Sequence, residues 1–155
     1  MHRSVEVTNR EDLLQLEEPS VRELVAALDE FDGYPVPTGS LDIAFVDVET
    51  CCQLHADFFN DPEPTDVMTF PGDSQDDHAG DIAVCPKVAQ DASAETGLPF
   101  NRELSLYIVH ACLHLAGLKD DTPDNIATMR EAESQLMQCL ESQNAFLRCS
   151  WKPSP

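Results

Sequence analysis

The chain has 155 residues, 42% of them hydrophobic, which suffices for one domain around one core and falls short of two ordinary ones. Nine basic against twenty-nine acidic side chains give a net charge of −20, which argues against tight, sequence-independent binding of nucleic acid through its phosphates. No apolar run approaches the roughly twenty residues that cross a bilayer, and the polar N-terminus lacks a signal-peptide hydrophobic stretch, so the expectation is a cytoplasmic protein with no membrane association.

In chain order, Val5-Glu6-Val7 opens as a short strand. Ser20, with Glu23 three residues on, has the form of a capping box, and Val21, Leu24, Val25 and Leu28 recur at helical spacing, predicting a helix of about ten residues after Ser20. Pro35 to Gly39 forms a turn, and Leu41 to Val46 alternates as a strand does. Asp47 can cap a helix that carries Cys51, Leu54 and Phe58 on one stripe, and Asn60 to Pro64 breaks it. Strands follow at Asp66 to Phe70 and Asp81 to Val84, separated by a mobile acidic loop, Gly72 to His78, in which His78 is expected to be exposed.

The second half reads as helical. Pro86 suits a first turn and Gly97 a C-terminal stop, while Asn101 can cap a helix whose Leu104, Ile108 and Leu115 face the core. Thr122-Pro123-Asp124 starts a last helix with a capping hydroxyl, an early proline and an acid near the positive dipole end. Ile126, Met129, Leu136 and Leu140 supply its buried stripe. The expected fold is α+β, a single compact domain over residues 1–146, with a small mixed β-sheet of about four strands packed with about five helices. Residues 147–155 are expected to form a loose tail. The six cysteines include no C-x2-C pair and do not resemble a secreted disulfide framework, so they read as reduced, mostly buried thiols.

The chemistry concentrates in Val109 to Asp120. His110 and His114 are four apart, so both imidazoles of a helix reach one point, and Gly117 permits the turn that returns Asp120 to it. Two histidines at this spacing are also compatible with a simple hydrogen-bonded pair. The glycine and the aspartate favour an open metal site of His110, His114 and Asp120, holding one Zn2+ per chain or another divalent transition metal. Ala111 stands where the metallopeptidases of similar spacing carry a glutamate base, so peptide hydrolysis is not expected. A non-haem iron oxygenase is disfavoured because the strands are too few for a barrel. Nothing in the chain suggests a nucleotide cofactor.

Three ordered segments, Pro64 to Phe70 (PTDVMTF), Gly80-Asp81-Ile82 and the run from His110 to Asp120, resemble the YbeY family of bacterial ribosomal RNA maturation factors. The resemblance spans most of the chain, from near Val5 to near Leu140. It implies a metal-dependent endoribonuclease acting on single-stranded RNA in small-subunit ribosomal RNA 3′-end maturation and ribosome quality control. Its implied partners are ribosomal RNA and the small ribosomal subunit or its proteins. The chain departs from the family pattern at three places: Asp120 replaces the usual third histidine, Ala111 replaces a glycine, and His55 and Phe59 stand where the family often has Asn and Arg. The family arginine is proposed to contact phosphate, so that clamp is absent at Phe59.

The catalytic set expected on this basis is His110 and His114, with Asp66 and Asp81 as candidate proton acceptors beside the metal water. Both acids also have structural readings. Asp66 can cap a turn, and Asp81 can orient a ligand imidazole through its second nitrogen, which is the favoured role for Asp81. His55 can line the cleft or sit on its rim. The charge leaves three routes to RNA open: an acid-rich surface adapted to salt, recognition through a protein partner, or a local patch of Arg22, Lys87, Arg102, Lys119 and Arg130. The commonest role of such acids is simply a solvated surface. The alternative function is a non-catalytic ribosome-assembly factor whose metal staples the last two helices.

Overall fold

The structure, a computed structural model, describes residues 3–152. In chain order its elements are β1 (Val5–Asn9), β2 (Leu14–Leu16), α1 (Glu18–Asp29), β3 (Ser40–Phe45), α2 (Val48–Phe59), β4 (Val67–Pro71), β5 (His78–Val84), α3 (Pro86–Thr96), α4 (Phe100–Leu115), α5 (Pro123–Ser142) and β6 (Cys149–Trp151). One 3-10 turn, Ser74–Asp76, lies between β4 and β5.

The main sheet has the order β1-β3-β5-β4, with β1, β3 and β5 parallel and β4 antiparallel on the edge. Alternation along β3 turns Leu41, Ile43 and Phe45 into the main core and Asp42 and Ala44 to the opposite face. On the core face, Val5, Ile82 and Val84 join these residues beneath α1, α4 and α5, which contribute Val21, Leu24, Ile108, Leu113, Met129 and Leu140. The other face carries a smaller cluster, Val46, Cys51, Met68, Ala83 and Cys85, with Cys51 supplied by α2. Helix α4 is buried on nearly every side, and a helix apolar all round belongs at the centre of a small domain.

A register shift between β3 and β5 decides which side chains of β5 reach each face of the sheet. Ser40 is opposite His78, but Leu41 is opposite Gly80, so one extra residue sits in β5. Ala79 lies in the main core, and a Cβ on Gly80 would come within 2.8 Å of Leu115 Cδ2. Both residues therefore face α4, whose close approach requires glycine there. The bulge also returns His78 to the face that carries Asp81.

Local signals held at some helix ends and failed at others. Asp47 accepts a hydrogen bond from Thr50 N at 2.7 Å and Thr122 accepts one from Asn125 N at 3.1 Å, so both cap as expected. Ser20 does not cap: α1 begins two residues earlier, and the Ser20 hydroxyl donates to Glu17 O and accepts from Arg148 N. Asn101 lies inside α4 and donates to Leu147 O at 3.2 Å instead of capping. Ile126 is 43% exposed and lies outside the buried stripe of α5.

The expected loose tail is corrected for residues 147–152. Leu147 is fully buried, its N–H donates to the buried Ser105 hydroxyl at 2.9 Å, and β6 pairs antiparallel with β2. Two three-residue strands show no usable periodicity, which hid both from sequence reading. Pro153 to Pro155 and His2 lie outside the described residues. Among the described residues, no helix is long and apolar enough to cross a membrane. All six cysteines are free thiols.

Leu147→Ala should destabilise the protein by about 2–5 kcal/mol, the range for emptying a fully buried leucine site. Urea unfolding with an unchanged m-value checks this. A loss below about 0.5 kcal/mol, the size of an ordinary surface change, would mean that the C-terminal segment does not share the core.

Candidate metal centre

The last two turns of α4 carry His110 and His114. Ala116 N and Gly117 N close the helix on Cys112 O and His114 O, and Gly117 takes φ 105°, a left-handed conformation that glycine tolerates. Leu118 N then donates back to Leu113 O, and Leu118 O accepts a hydrogen bond from His114 Nδ1 at 3.0 Å. The turn thereby orients one imidazole while it brings Asp120 to the pair.

Glu133 of α5 orients the other. Its Oε2 accepts from His110 Nδ1 at 2.5 Å, and its Oε1 accepts from Arg130 Nη1 at 3.3 Å. The carboxylate is only 5% exposed. The Glu133 hydrogen bond, reinforced by the charges of Glu133, Asp66 and Asp120, raises the His110 pKa above the ordinary histidine value although burial opposes this.

When both rings are neutral and Nδ1 of each donates, Nε2 of each ring is a lone pair. These nitrogens face one another at 3.0 Å, and each lies 3.4 Å from Asp120 Oδ2. Three such acceptors at these distances repel one another unless a proton on one ring or a metal ion lies between them. A tetrahedral ion with ligands at about 2.0–2.1 Å has ligand–ligand edges of about 3.3 Å, so the donor set fits zinc in both chemistry and size. The three groups are half-buried to exposed, leaving solvent access on the Asp120 side.

The remaining sequence-selected residues divide between the two faces of the sheet. Asp66 precedes β4, accepts from Val67 N at 2.8 Å and Thr65 Oγ1 at 3.3 Å through Oδ1, and acts electrostatically on His110. It combines the turn-capping role with an electrostatic effect on His110. Asp81 does not: it follows Gly80, which faces α4, and its Oδ2 instead meets His78 Nε2 at 3.1 Å on the opposite face. The imidazole-orienting role expected of Asp81 belongs to Glu133 and Leu118 O. His78 is correspondingly half-buried rather than exposed.

Glu133 escaped sequence reading. It lies four residues after Met129 and three before Leu136, inside the buried stripe of α5, and an acid in that position signals a buried partner. Phe59 is 49% exposed and lies 5.5 Å from the His55 ring and 5.9 Å from Phe70, so it is an exposed aromatic rather than a core residue. His55 Nδ1 donates to Glu63 O at 2.7 Å.

Fold and site together define a small α+β domain with an open His-His-Asp group, of a geometry that suits a metal ion, at the end of its central helix. The family model for Endoribonuclease YbeY matches residues 6–141. The chain is 37% identical over 112 residues to Endoribonuclease YbeY of Protochlamydia amoebophila, covering 70% of this chain and 75% of that protein. It is 33% identical to that of Chlamydia abortus, over 91% of this chain and 93% of the relative. The chain belongs to the YbeY endoribonuclease family. The solution structure of TM1509 from Thermotoga maritima shares the fold, with a TM-score of 0.59 and 21% identity over 91% of this chain and 94% of that one.

Replacing Glu133 by Gln should weaken zinc binding at this centre by about 10–100-fold, as loss of a ligand's carboxylate partner typically does. Competition with a chromophoric chelator reads the change; an unaltered affinity would refute the orienting role. Protons compete with the ion for His110, whose pKa is raised. Affinity should therefore be flat above that pKa and fall as pH drops through it, beginning above the ordinary histidine range.

Proposed function

We propose that the protein is a single-strand-specific, metal-dependent endoribonuclease, with residues 1–146 as its catalytic domain and residues 147–151 completing the core. The observation that carries this reading is the convergence of His110 Nε2, His114 Nε2 and Asp120 Oδ2 within 3.4 Å of one another. His110, His114 and Asp120 would hold a zinc ion, which when bound would supply Lewis acidity toward a phosphoryl oxygen and lower the pKa of a water. Asp66, anchored through Oδ1 and acting electrostatically on His110, would be the carboxylate that receives a proton from the attacking water. Glu133 and Leu118 O hold the two rings in the tautomer that leaves Nε2 free for metal.

The proposed substrate is ribosomal RNA. The role is 3′-end maturation of the small-subunit RNA and ribosome quality control in the cytoplasm, with the small subunit or its proteins as partners. Six free thiols agree with a reducing compartment. Family membership supports RNA as substrate, and the net charge of −20 favours delivery by a partner over capture through phosphates. Lys87 is paired with Asp91 and Arg130 with Glu133, which weakens the idea of a basic patch built from these residues. A second reading, an assembly factor without cleavage activity, is favoured by the same charge and by Phe59 in place of a phosphate-contacting arginine.

His114→Ala should lower cleavage of a single-stranded RNA oligonucleotide by at least about a hundredfold, roughly 2.7 kcal/mol of barrier, and Asp120→His should retain metal. Unimpaired cleavage by zinc-free His114→Ala would refute the mechanism. Absence of cleavage by the metal-loaded parent would favour the assembly-factor reading.

Phe59→Arg should raise RNA affinity or cleavage by up to about tenfold, equivalent to roughly 1.4 kcal/mol. A folded, metal-loaded variant with unchanged binding and turnover would show that position 59 does not face RNA.

A further inference from the structure

On the sheet face opposite α4, three neighbouring strands place acids side by side. Glu6 of β1 is registered with Asp42 of β3, and Asp42 with Asp81 of β5. Like charges directly opposite one another on a sheet are destabilising. The fold nevertheless builds this row at its centre, and burial together with the Asp81 charge holds the Asp42 carboxyl above its usual range. Glu6, Asp42, Phe70 and Asp81 line a cleft of about 170 Å³.

The row is more than an acidic patch because an imidazole completes it. His78 and Asp81 are three residues apart, and in a regular strand they would point to opposite faces. The extra residue in β5 reverses the parity: Ala79 and Gly80 both turn to the core, and His78 lands beside Asp81 with its Nε2 3.1 Å from Asp81 Oδ2. Ser40 Oγ, 2.8 Å from His78 Nδ1, can accept that nitrogen's proton, which leaves Nε2 able to bind an ion. Ligand atoms of Asp42, His78 and Asp81 all lie within 4.8 Å of one another.

We propose that Asp42, His78 and Asp81, with Glu6 beside them, form a second divalent transition-metal site, separated by the sheet from the centre at His110. One nitrogen with two or three carboxylate oxygens suits Zn2+ or Mn2+ better than Ca2+, which prefers oxygen alone. Carboxylates from two adjacent strands on one ion would clamp β3 to β5 and offset the repulsion within the row. The site lies on the face away from the reaction, so its role is to hold the sheet and the β5 bulge against which α4 packs.

Equilibrium dialysis of chelator-stripped protein against Zn2+, followed by elemental analysis, tests this in about 1 M KCl, where a Debye length of about 3 Å suppresses binding to the general acidic surface. The parent should hold two ions per chain, and His114→Ala and Asp42→Asn one each. His78→Gln should lower affinity for the second ion at least tenfold. Without metal, Asp42→Asn should unfold at the same or a higher temperature than the parent, because one like charge is gone; with Zn2+ added, only proteins that keep Asp42 and His78 should gain the stabilisation owed to the second ion. A parent that binds a single ion, lost in His114→Ala, would overturn the proposal. So would a second ion unaffected by either Asp42→Asn or His78→Gln, or one that Ca2+ replaces with equal affinity, since either result means screened surface binding.

Discussion

The hydrogen bond between Glu133 and His110 couples the fold to the site. A carboxylate as buried as Glu133 costs several kcal/mol in desolvation unless its oxygens are satisfied, and His110 Nδ1 and Arg130 satisfy them. The bond ties α5 to α4 and fixes the His110 ring so that Nε2 faces His114 Nε2 and Asp120. With both rings neutral those acceptors repel one another. A metal ion bound there would therefore contribute to stability as well as to chemistry, because an ion that binds only the folded chain stabilises it.

The sheet divides the molecule into two chemical halves. Gly80 lets Leu115 approach β5, so the end of α4 is held against the sheet, and Asp66, anchored just before β4, acts electrostatically on His110. The bulge that places Ala79 and Gly80 toward α4 also sends His78 to the far side with Asp42 and Asp81. One local irregularity thus serves close helix packing on one face and a separate polar cluster on the other. Bulges recur at such positions because they re-aim side chains without dissolving the strand pairing.

The spacing of His110, His114, Gly117 and Asp120 made the convergence of the three side chains legible, because i, i+4 geometry and a glycine turn are local properties of the chain. The main strands and all five helices were legible for the same reason, through periodicity and through caps such as Asp47 and Thr122. What escaped was non-local. The contact of His78 with Asp81 was hidden because the bulge at Ala79 leaves no pattern in the sequence, whereas the far-face position of Asp81 follows from its alternation with Ile82 and Val84 once these are known to face α4. Glu133 comes from a helix that meets α4 only in the folded chain. Leu147 and the β2–β6 pair were missed because three-residue strands owe their existence to tertiary contacts, here Ser105 and Ser20 receiving the backbone of the C-terminal segment.

With a net charge of −20, electrostatic attraction to RNA is weak, so the account depends on a well-defined metal centre acting on a substrate brought to it. The most direct test is zinc K-edge X-ray absorption on protein loaded with one equivalent of zinc. The account predicts a nitrogen and oxygen shell at about 2.0–2.1 Å, with outer-shell scattering from two imidazoles that falls to one in His114→Ala. A sulfur shell near about 2.3 Å, or imidazole scattering unchanged in that variant, would contradict it.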